Sequence, residues 1–360
     1  MRELRVAVIP GDGIGREVMS ACLSLLEPLV ARVGGFRLRL ESHAAGADLY
    51  RDTGVALPDD VIRAAASADA ILLGAMGLPD VRYPNGTEIV PQIELRERLR
   101  LYAGVRPIRV LPGVPIPLAD ARARQVDCVV VRESTEGLFA ARTLTERQGD
   151  TAVLDTMRIS RDTSERLFDF AFALARKRRR RTGRSRVTCV DKANVLPGMA
   201  FFRSIFLERA ARNPDIQADS MYVDAAALHL VRRPWEFDVL VTENMFGDIL
   251  SDLGAGLIGG MGMAPSADVG ENHAVFQPCH GTAPDIAGRG LANPAAMFLS
   301  AALMLEWLGE RHGEPACVRG AAELSGAVER AFADGTLVPV ECGGQAGTSV
   351  ITERVRRELE

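Results

Sequence analysis

Five short runs of this chain are apolar or nearly so, rich in β-branched residues and closed by glycine or polar residues: positions 4–9, 70–73, 128–131, 187–190 and 239–241. Longer segments with helical spacing separate them. An apolar run without alternation marks a strand covered on both faces, and intervening helices that cover both faces imply a parallel sheet. The pattern restricts the chain to the α/β class. At 360 residues it exceeds most single cores and suits two domains. Asp162 and Glu165 have capping-box spacing, and Leu167, Phe168, Ala171 and Leu174 then recur on one helical face. Residues 139–160 interrupt the alternation and predict two extended segments about Gln148-Gly149-Asp150, a hairpin. A lone hairpin is marginal in water, which leaves pairing with a partner chain and an ordinary surface hairpin both open.

Charge excludes several function classes. The 47 acidic and 43 basic side chains nearly balance, for a net charge of −4, which argues against nucleic-acid and membrane-surface partners. The one basic run, Arg176-Lys177-Arg178-Arg179-Arg180-Arg181, reads as a solvated helix end where cations suit the dipole. Six cysteines stand far apart with no CxxC pair, which argues against a zinc knuckle and for a reducing compartment. There is no apolar signal region at the start and no stretch of about 18 apolar residues to span a bilayer. The expectation is a cytoplasmic protein.

Four constellations carry candidate chemistry. Gly11, Gly13 and Gly15 follow the first strand, but their spacing is GxGxG and not GxGxxG, and the later acid, Glu41, lies beyond the usual distance. A tight strand-to-helix turn explains them as well as a dinucleotide site. Asp248 and Asp252 are four apart on an apparent helix, hence on one face. Two repelling carboxylates there fit a divalent cation; a helix start that favours acids is the alternative. Lys192 follows a strand, where α/β folds place functional side chains, although a surface lysine reads the same way. Arg96, Arg106 and Arg132 stand at element ends and can clamp a carboxylate through bidentate bonds, or serve as ordinary surface cations.

Seven stretches taken together identify a family: GDGIG, LRERLRLYAGVRP, RESTEGLF, DKANV, YVDAAALHLV, ENMFGDILSDL and HGTAPDIAGRGLANP. Over nearly its whole length the chain resembles the β-decarboxylating dehydrogenases that act on isopropylmalate, isocitrate, homoisocitrate and tartrate, and is most similar to isopropylmalate dehydrogenase-like proteins. The resemblance implies an α/β isopropylmalate dehydrogenase-like fold, distinct from a standard Rossmann fold. Residues 1–105 plus 258–360 would form a cofactor-binding domain. Residues 106–257 would carry the substrate and metal residues, the dimer interface and an arm near 139–160 that clasps a second subunit. By resemblance, Arg96, Arg106 and Arg132 hold the malate part of a dicarboxylate substrate, and Gln92 and Ile93 face its substituent. Asp248 and Asp252 bind Mg²⁺ or Mn²⁺ with Asp224 of a second subunit. Lys192, also from that subunit, acts in proton transfer, so a homodimer shares its sites. K⁺ is a further candidate ion.

The resemblance also places NAD. His280, Gly281, Ala283, Asp285, Ile286 and Asn293 match the adenosine loop, and Ile14 in GDGIG falls near the nicotinamide end. A carboxylate at Asp285 accepts from a ribose diol and repels a 2′-phosphate; NADP-using relatives have Lys-Tyr in place of Asp285-Ile286. Two departures stand out. Phe139 replaces the tyrosine that protonates the enolate in the family, and a phenyl ring has no acidic proton. The specificity loop PNGTEIVPQIELR has Gln92 and Ile93 in place of the Leu-Leu of isopropylmalate enzymes and of the Ser and Asn of isocitrate enzymes. The expected activity is oxidation of a 3-substituted malate with decarboxylation. Alternatives are a tartrate- or malate-type dehydrogenase without obligatory decarboxylation and a non-catalytic regulatory subunit.

Overall fold

The computed structural model describes residues 2–360, and its centre is one ten-stranded sheet. In chain order the strands are β1 (Arg2–Gly11), β2 (Phe36–Ser42), β3 (Ala70–Ala75), β4 (Ala103–Arg109), β5 (Asp127–Glu133), β6 (Glu146–Gln148), β7 (Ala152–Leu154), β8 (Arg186–Asp191), β9 (Gln217–Tyr222), β10 (Val239–Thr242), β11 (Pro265–Val269) and β12 (Ala274–Pro278). The helices are α1 (Ile14–Val33), α2 (Ala47–Thr53), α3 (Asp59–Ser67), α4 (Pro91–Arg98), α5 (Gly137–Ala140), α6 (Arg161–Thr182), α7 (Pro197–Ala211), α8 (Val223–Arg232), α9 (Asn244–Leu257), α10 (Ala295–His312), α11 (Pro315–Ala333) and α12 (Thr348–Leu359). All five apolar runs of the sequence are strands of the main sheet. The order is β2-β1-β3-β12-β11-β4-β5-β10-β8-β9.

Two wings of this sheet are parallel, as the sequence pattern predicts: β2-β1-β3-β12 and β5-β10-β8-β9. The middle is not. β11 pairs antiparallel with β12 and with β4, and β4 pairs antiparallel with β5. The two wings therefore run in opposite directions and meet at β4 and β11. Hydrogen bonding is continuous across the whole sheet, and the boundary between 105 and 106 falls inside β4. Residues 1–105 and 258–360 supply β1–β3, β11 and β12, and the middle segment supplies β5–β10. Strands β2 and β9 escape an apolar-run criterion because they are edges with polar or alternating sequences.

Helices cover both faces. One core joins α1, α10, α11 and α12 to the first wing. Another packs α6 and α7 on the second wing, where Phe168, Phe172, Phe202 and Phe206 interlock with ring centroids 4.6–5.7 Å apart. In α6, Leu167, Phe168 and Ala171 are buried as the spacing predicts, while Leu174 is half-buried. The predicted capping box is replaced. Ser160 caps α6 through the Thr163 amide, and Glu165 instead takes an ion pair from Arg161. The six cysteines are free thiols, and four are buried among apolar side chains.

The basic run of α6 is paired, not simply solvated. Arg176 and Arg179 meet Asp215, Arg181 meets Asp127, and Lys177 reaches Glu306 and Glu310. Arg178 is buried, donating to Asp238 (2.8 Å) and to the Asp127 carbonyl (2.7 Å). No helix among the described residues is long and apolar enough to cross a membrane.

The predicted hairpin is present: β6 and β7 form a separate antiparallel pair, and Gly149 in the connecting loop adopts a left-handed φ of 62°. Every residue of its two strands is exposed, and so is Leu144 ahead of them.

Because Asp238 is almost fully buried, Arg178→Ala leaves a carboxylate without its cation. The expected loss is about 3–5 kcal/mol of unfolding free energy by urea denaturation.

Candidate active site

Three arginines converge on one cavity of about 240 Å³. Arg132 comes from the end of β5, Arg106 from the adjacent β4 and Arg96 from the last turn of α4. The antiparallel register sets Gly104 opposite Arg132, so no side chain on β4 contests that guanidinium. Gln92, Ile93, Phe139, Asp248, Asp252, His280 and Gly281 line the same space.

The ENMFGD segment explains how Arg132 is held. Glu243 caps α9 through the Met245 and Phe246 amides (3.0 and 2.6 Å). Burial pushes its carboxyl up, and those amides oppose the shift. Asn244 accepts both Nε and Nη2 of Arg132 (3.0 and 2.8 Å). At Gly247 a Cβ would lie 2.6 Å from the Arg132 Cβ, so only glycine lets the helix come this close to β5. Asp248 pairs with Arg132 from one turn further on. Burial, the neighbouring Arg96 charge and the opposing pull of Asp248 bring Arg132 to about 10, still cationic at neutral pH.

The helix-start alternative for Asp248 and Asp252 does not hold. Glu243 occupies the cap, and the two aspartates stand in later turns, facing the cavity. Burial first, then the Asp248 charge, raises the Asp252 carboxyl, as expected of like charges held together. This pair fits a divalent cation. Among the described residues no group of three or more His, Cys, Asp or Glu could hold a metal.

Lys192 and Asp224 are not part of the cavity. Lys192 follows β8, two strands from β5, about 10 Å in a sheet. Its Nζ lies 2.9 Å from Asp224 Oδ1 at the first turn of α8. The bond from Lys192 holds the exposed Asp224 carboxyl down.

Phe139 lies on α5 with the Arg132 guanidinium carbon 5.5 Å from its ring centroid. Its backbone turn is built by Glu133, a fully buried carboxylate that accepts Thr135 N and Oγ1 and Glu136 N (2.6–2.7 Å). Burial raises Glu133 to about 7 against those bonds.

The GDGIG turn is structural at its centre. Asp12 is buried and accepts the amides of Ala47, Asp48 and Gly77 (2.7–3.0 Å), which ties three segments together. A Cβ on Gly13 would sit 2.2 Å from the Thr282 carbonyl, and Ile14 donates its amide to that carbonyl (2.9 Å). The turn thereby abuts the 280–290 loop. Beyond it lies an open cavity of about 1060 Å³, walled by α1, by Pro284, Ala287 and Gly288, and by the start of α12. Asp285 and Ile286 fall between the wall residues Pro284 and Ala287; Asp285 is exposed, and among the described residues its carboxylate has no partner. Ala283 takes a left-handed φ of 38°. Asn293 is buried, donating to Glu341 (2.8 Å) and accepting from Ala295 N (3.1 Å). Burial lowers the His280 pKa, opposed by its bond to the Gly281 carbonyl; its Nε2 is buried without a partner among the described residues, as is Gln92 Oε1. Such orphaned acceptors at the rim fit a bound ligand.

Sequence reasoning missed Asp268. It lies in β11, fully buried, and accepts Arg96 Nε and Arg106 Nη2 (3.0 and 2.9 Å). Burial opposes its ionisation, yet the charges of Arg106 and Arg96 outweigh burial and hold it at about 2. The available signal was an acid inside an otherwise small, apolar strand, Pro265–Val269. Asp12 and Asn244 were missed because each acts on neighbours remote in sequence; Glu133 was missed although its partners, Thr135 and Glu136, are local.

In the folded chain Glu133 binds a proton more readily than an unconstrained carboxyl near 4.5. Its share of stability is complete at low pH and is lost as pH rises from 4.5 through about 7. Glu133→Gln removes that slope. Relative to the variant, the wild type should lose about 2 kcal/mol of unfolding free energy between about pH 5.5 and pH 8, measured by denaturation at each pH.

Three comparisons bear on this geometry. A family model described as isocitrate/isopropylmalate dehydrogenase matches residues 5–355. A 3-isopropylmalate/3-methylmalate dehydrogenase of Methanocaldococcus jannaschii is 39% identical over 356 residues, covering 99% of this chain and 98% of that protein. A probable tartrate dehydrogenase/decarboxylase of Agrobacterium vitis is also 39% identical, covering 99% and 97%. The crystal structure of isocitrate dehydrogenase from Methylococcus capsulatus superposes with a TM-score of 0.86 at 34% identity, covering 99% of each chain.

Proposed function

We propose a function from one premise: the chain belongs to the isocitrate/isopropylmalate dehydrogenase family. It is a dehydrogenase. The reading we favour is NAD⁺-dependent oxidation of the 2-hydroxyl of a 3-substituted malate, with Mg²⁺ or Mn²⁺. The observation that carries it is the convergence of Arg96, Arg106 and Arg132 on the cavity that also receives Asp248 and Asp252.

In this reading the arginines bind the two carboxylates, and Gln92 and Ile93 face the 3-substituent. Asp248 and Asp252 would hold the cation, which when bound lowers the pKa of the substrate hydroxyl. Asp285 would accept hydrogen bonds from the adenosine ribose diol of NAD⁺, which when bound would supply the hydride acceptor for C2. Lys192 and Asp224 would enter as a bonded pair from a second copy of this chain, and Lys192 Nζ, once it has given up a proton as the neutral amine, would receive the hydroxyl proton. Support for that second copy is twofold. The pair stands outside its own cavity. Large apolar side chains also lie exposed beside it and on the hairpin, among them Leu228, Val231, Ile249, Val153 and Leu154, and surfaces of this kind favour association.

Phe139 favours a second reading of the last step. Loss of the β-carboxylate leaves a carbon that needs a proton, and the ring over Arg132 offers none. Either water or Lys192 supplies it, or the product is the uncleaved oxo-acid. NADH and CO₂ measured together across malate, tartrate, 3-methylmalate, 3-isopropylmalate, isocitrate and homoisocitrate decide between them. Equal yields establish decarboxylation, and NADH alone establishes the uncleaved product. NAD⁺ is expected to exceed NADP⁺ by about tenfold or more in kcat/KM. Activity with none of the six substrates would sink the proposed function.

The shared site has its own test. Lys192→Met and Asp252→Asn are each expected to be inactive. Subunits of the two, mixed and reassociated, should regain about a quarter of wild-type activity, because half the dimers then carry one intact site. No recovery on mixing would exclude sharing.

A further inference from the structure

Asp268 does not line the cavity, so whatever it does for a ligand it does through its neighbours. Four donors meet it: Arg96 Nε (3.0 Å), Arg106 Nη2 (2.9 Å), Gln277 Nε2 (3.1 Å) and Ser134 Oγ (3.4 Å). Three of those residues, Arg96, Arg106 and Gln277, do line the cavity. Each Asp268 oxygen takes one arginine, so the two guanidiniums are fixed relative to each other through one rigid carboxylate. Arg106 is further pinned by Nη1 on the Ala267 carbonyl (2.9 Å). Arg96 donates to Asp268 through Nε, and among the described residues neither of its terminal nitrogens has a protein acceptor. That leaves its planar end for a bidentate carboxylate.

Charge points the same way. Asp268 compensates one of the three guanidiniums and Asp248 pairs with Arg132, so the cluster keeps little positive charge to hold a third ligand carboxylate. We propose that Asp268 is a positioning residue that fixes Arg96 and Arg106 as a pair and sets the charge of the cluster, so that the cavity selects a dicarboxylate over a tricarboxylate. The inference rests on reading the cavity as the carboxylate site of the proposed function.

Gln277 provides a rescue. It is bonded to Asp268 and reaches the same cavity, so Asp268→Asn combined with Gln277→Glu moves the negative charge by one hydrogen bond without removing it. The experiment is calorimetric titration of the full-length protein with succinate and with tricarballylate, without metal or nucleotide, alongside melting temperatures. Wild type is expected to prefer succinate. Asp268→Asn should weaken succinate by about tenfold and shift the ratio of the two affinities toward tricarballylate. The double variant should restore the wild-type ratio. A merely structural role would lower the melting temperature without moving that ratio. The proposal is overturned if folded Asp268→Asn keeps both affinities within about twofold of wild type, or if wild type shows no preference for succinate. If Asp268→Asn does not fold, the double variant decides alone: a wild-type ratio supports the proposal, and a lost ratio or a failure to fold overturns it. The readout needs no turnover. A wild type that binds succinate but oxidises no hydroxy-dicarboxylate overturns the proposed function and leaves the role of Asp268 standing.

Discussion

Three guanidinium groups gathered in one partly buried cavity repel one another, and that repulsion is the constraint around which the site is built. Arg106 and Arg132 are both almost fully buried. Unpaired cations at such depth are costly. The chain answers with two counter-charges: Asp268 under Arg96 and Arg106, and Asp248 beside Arg132. Neutral acceptors complete the arrangement, Asn244 for Arg132 and the Ala267 carbonyl for Arg106. The burial of Asp268 follows from this need, since nothing else in β11 could compensate two cations from other elements.

The antiparallel centre of the sheet serves the same end. A wholly parallel sheet would set neighbouring strands running in one direction. Here β4 and β11 reverse it, and the reversal brings Arg106 in mid-strand beside both Asp268 on β11 and the end of β5 that carries Arg132. Helix α9 then packs onto β5 through Gly247, whose missing side chain makes room for the stem of Arg132. Buried carboxylates recur as fasteners for irregular backbone near the cavity. Asp12 binds three amides, Glu133 shapes the turn that leads to Phe139, and Glu243 caps α9. Each supplies acceptors to amides that would otherwise be unsatisfied at a loop or helix start.

Lys192 and Asp224 stand apart from the cavity. The cavity gathers three guanidiniums and two carboxylates, while the lysine and Asp224 are bonded to each other near exposed apolar side chains. Phe139 sets a different limit. Its ring lies over Arg132 and adds an apolar, cation-facing wall, but it carries no proton to give.

Much was legible before any fold was known. Unalternating apolar runs gave the α/β class and located five strands, because burial on both faces leaves a purely local mark. Glycine and polar residues after Gln148 marked the hairpin, because turn geometry is local too. The residues that line the cavity were also readable, as Arg96, Arg106, Arg132, Asp248 and Asp252 sit in long specific motifs. What supports them was not. The capping box at Asp162 yielded to Ser160, the solvated basic run became a set of ion pairs to Asp215, Asp127, Glu306 and Glu310, and β4 and β11 broke the parallel rule. Asp268 in β11 meets Arg96 and Arg106 more than 160 positions away in sequence. By itself the sequence determined which charged groups the cavity would gather, through side-chain type and short-range spacing. Only the tertiary structure decided how their charges balance, because Coulomb energy and desolvation depend on distances between strands that no local pattern encodes.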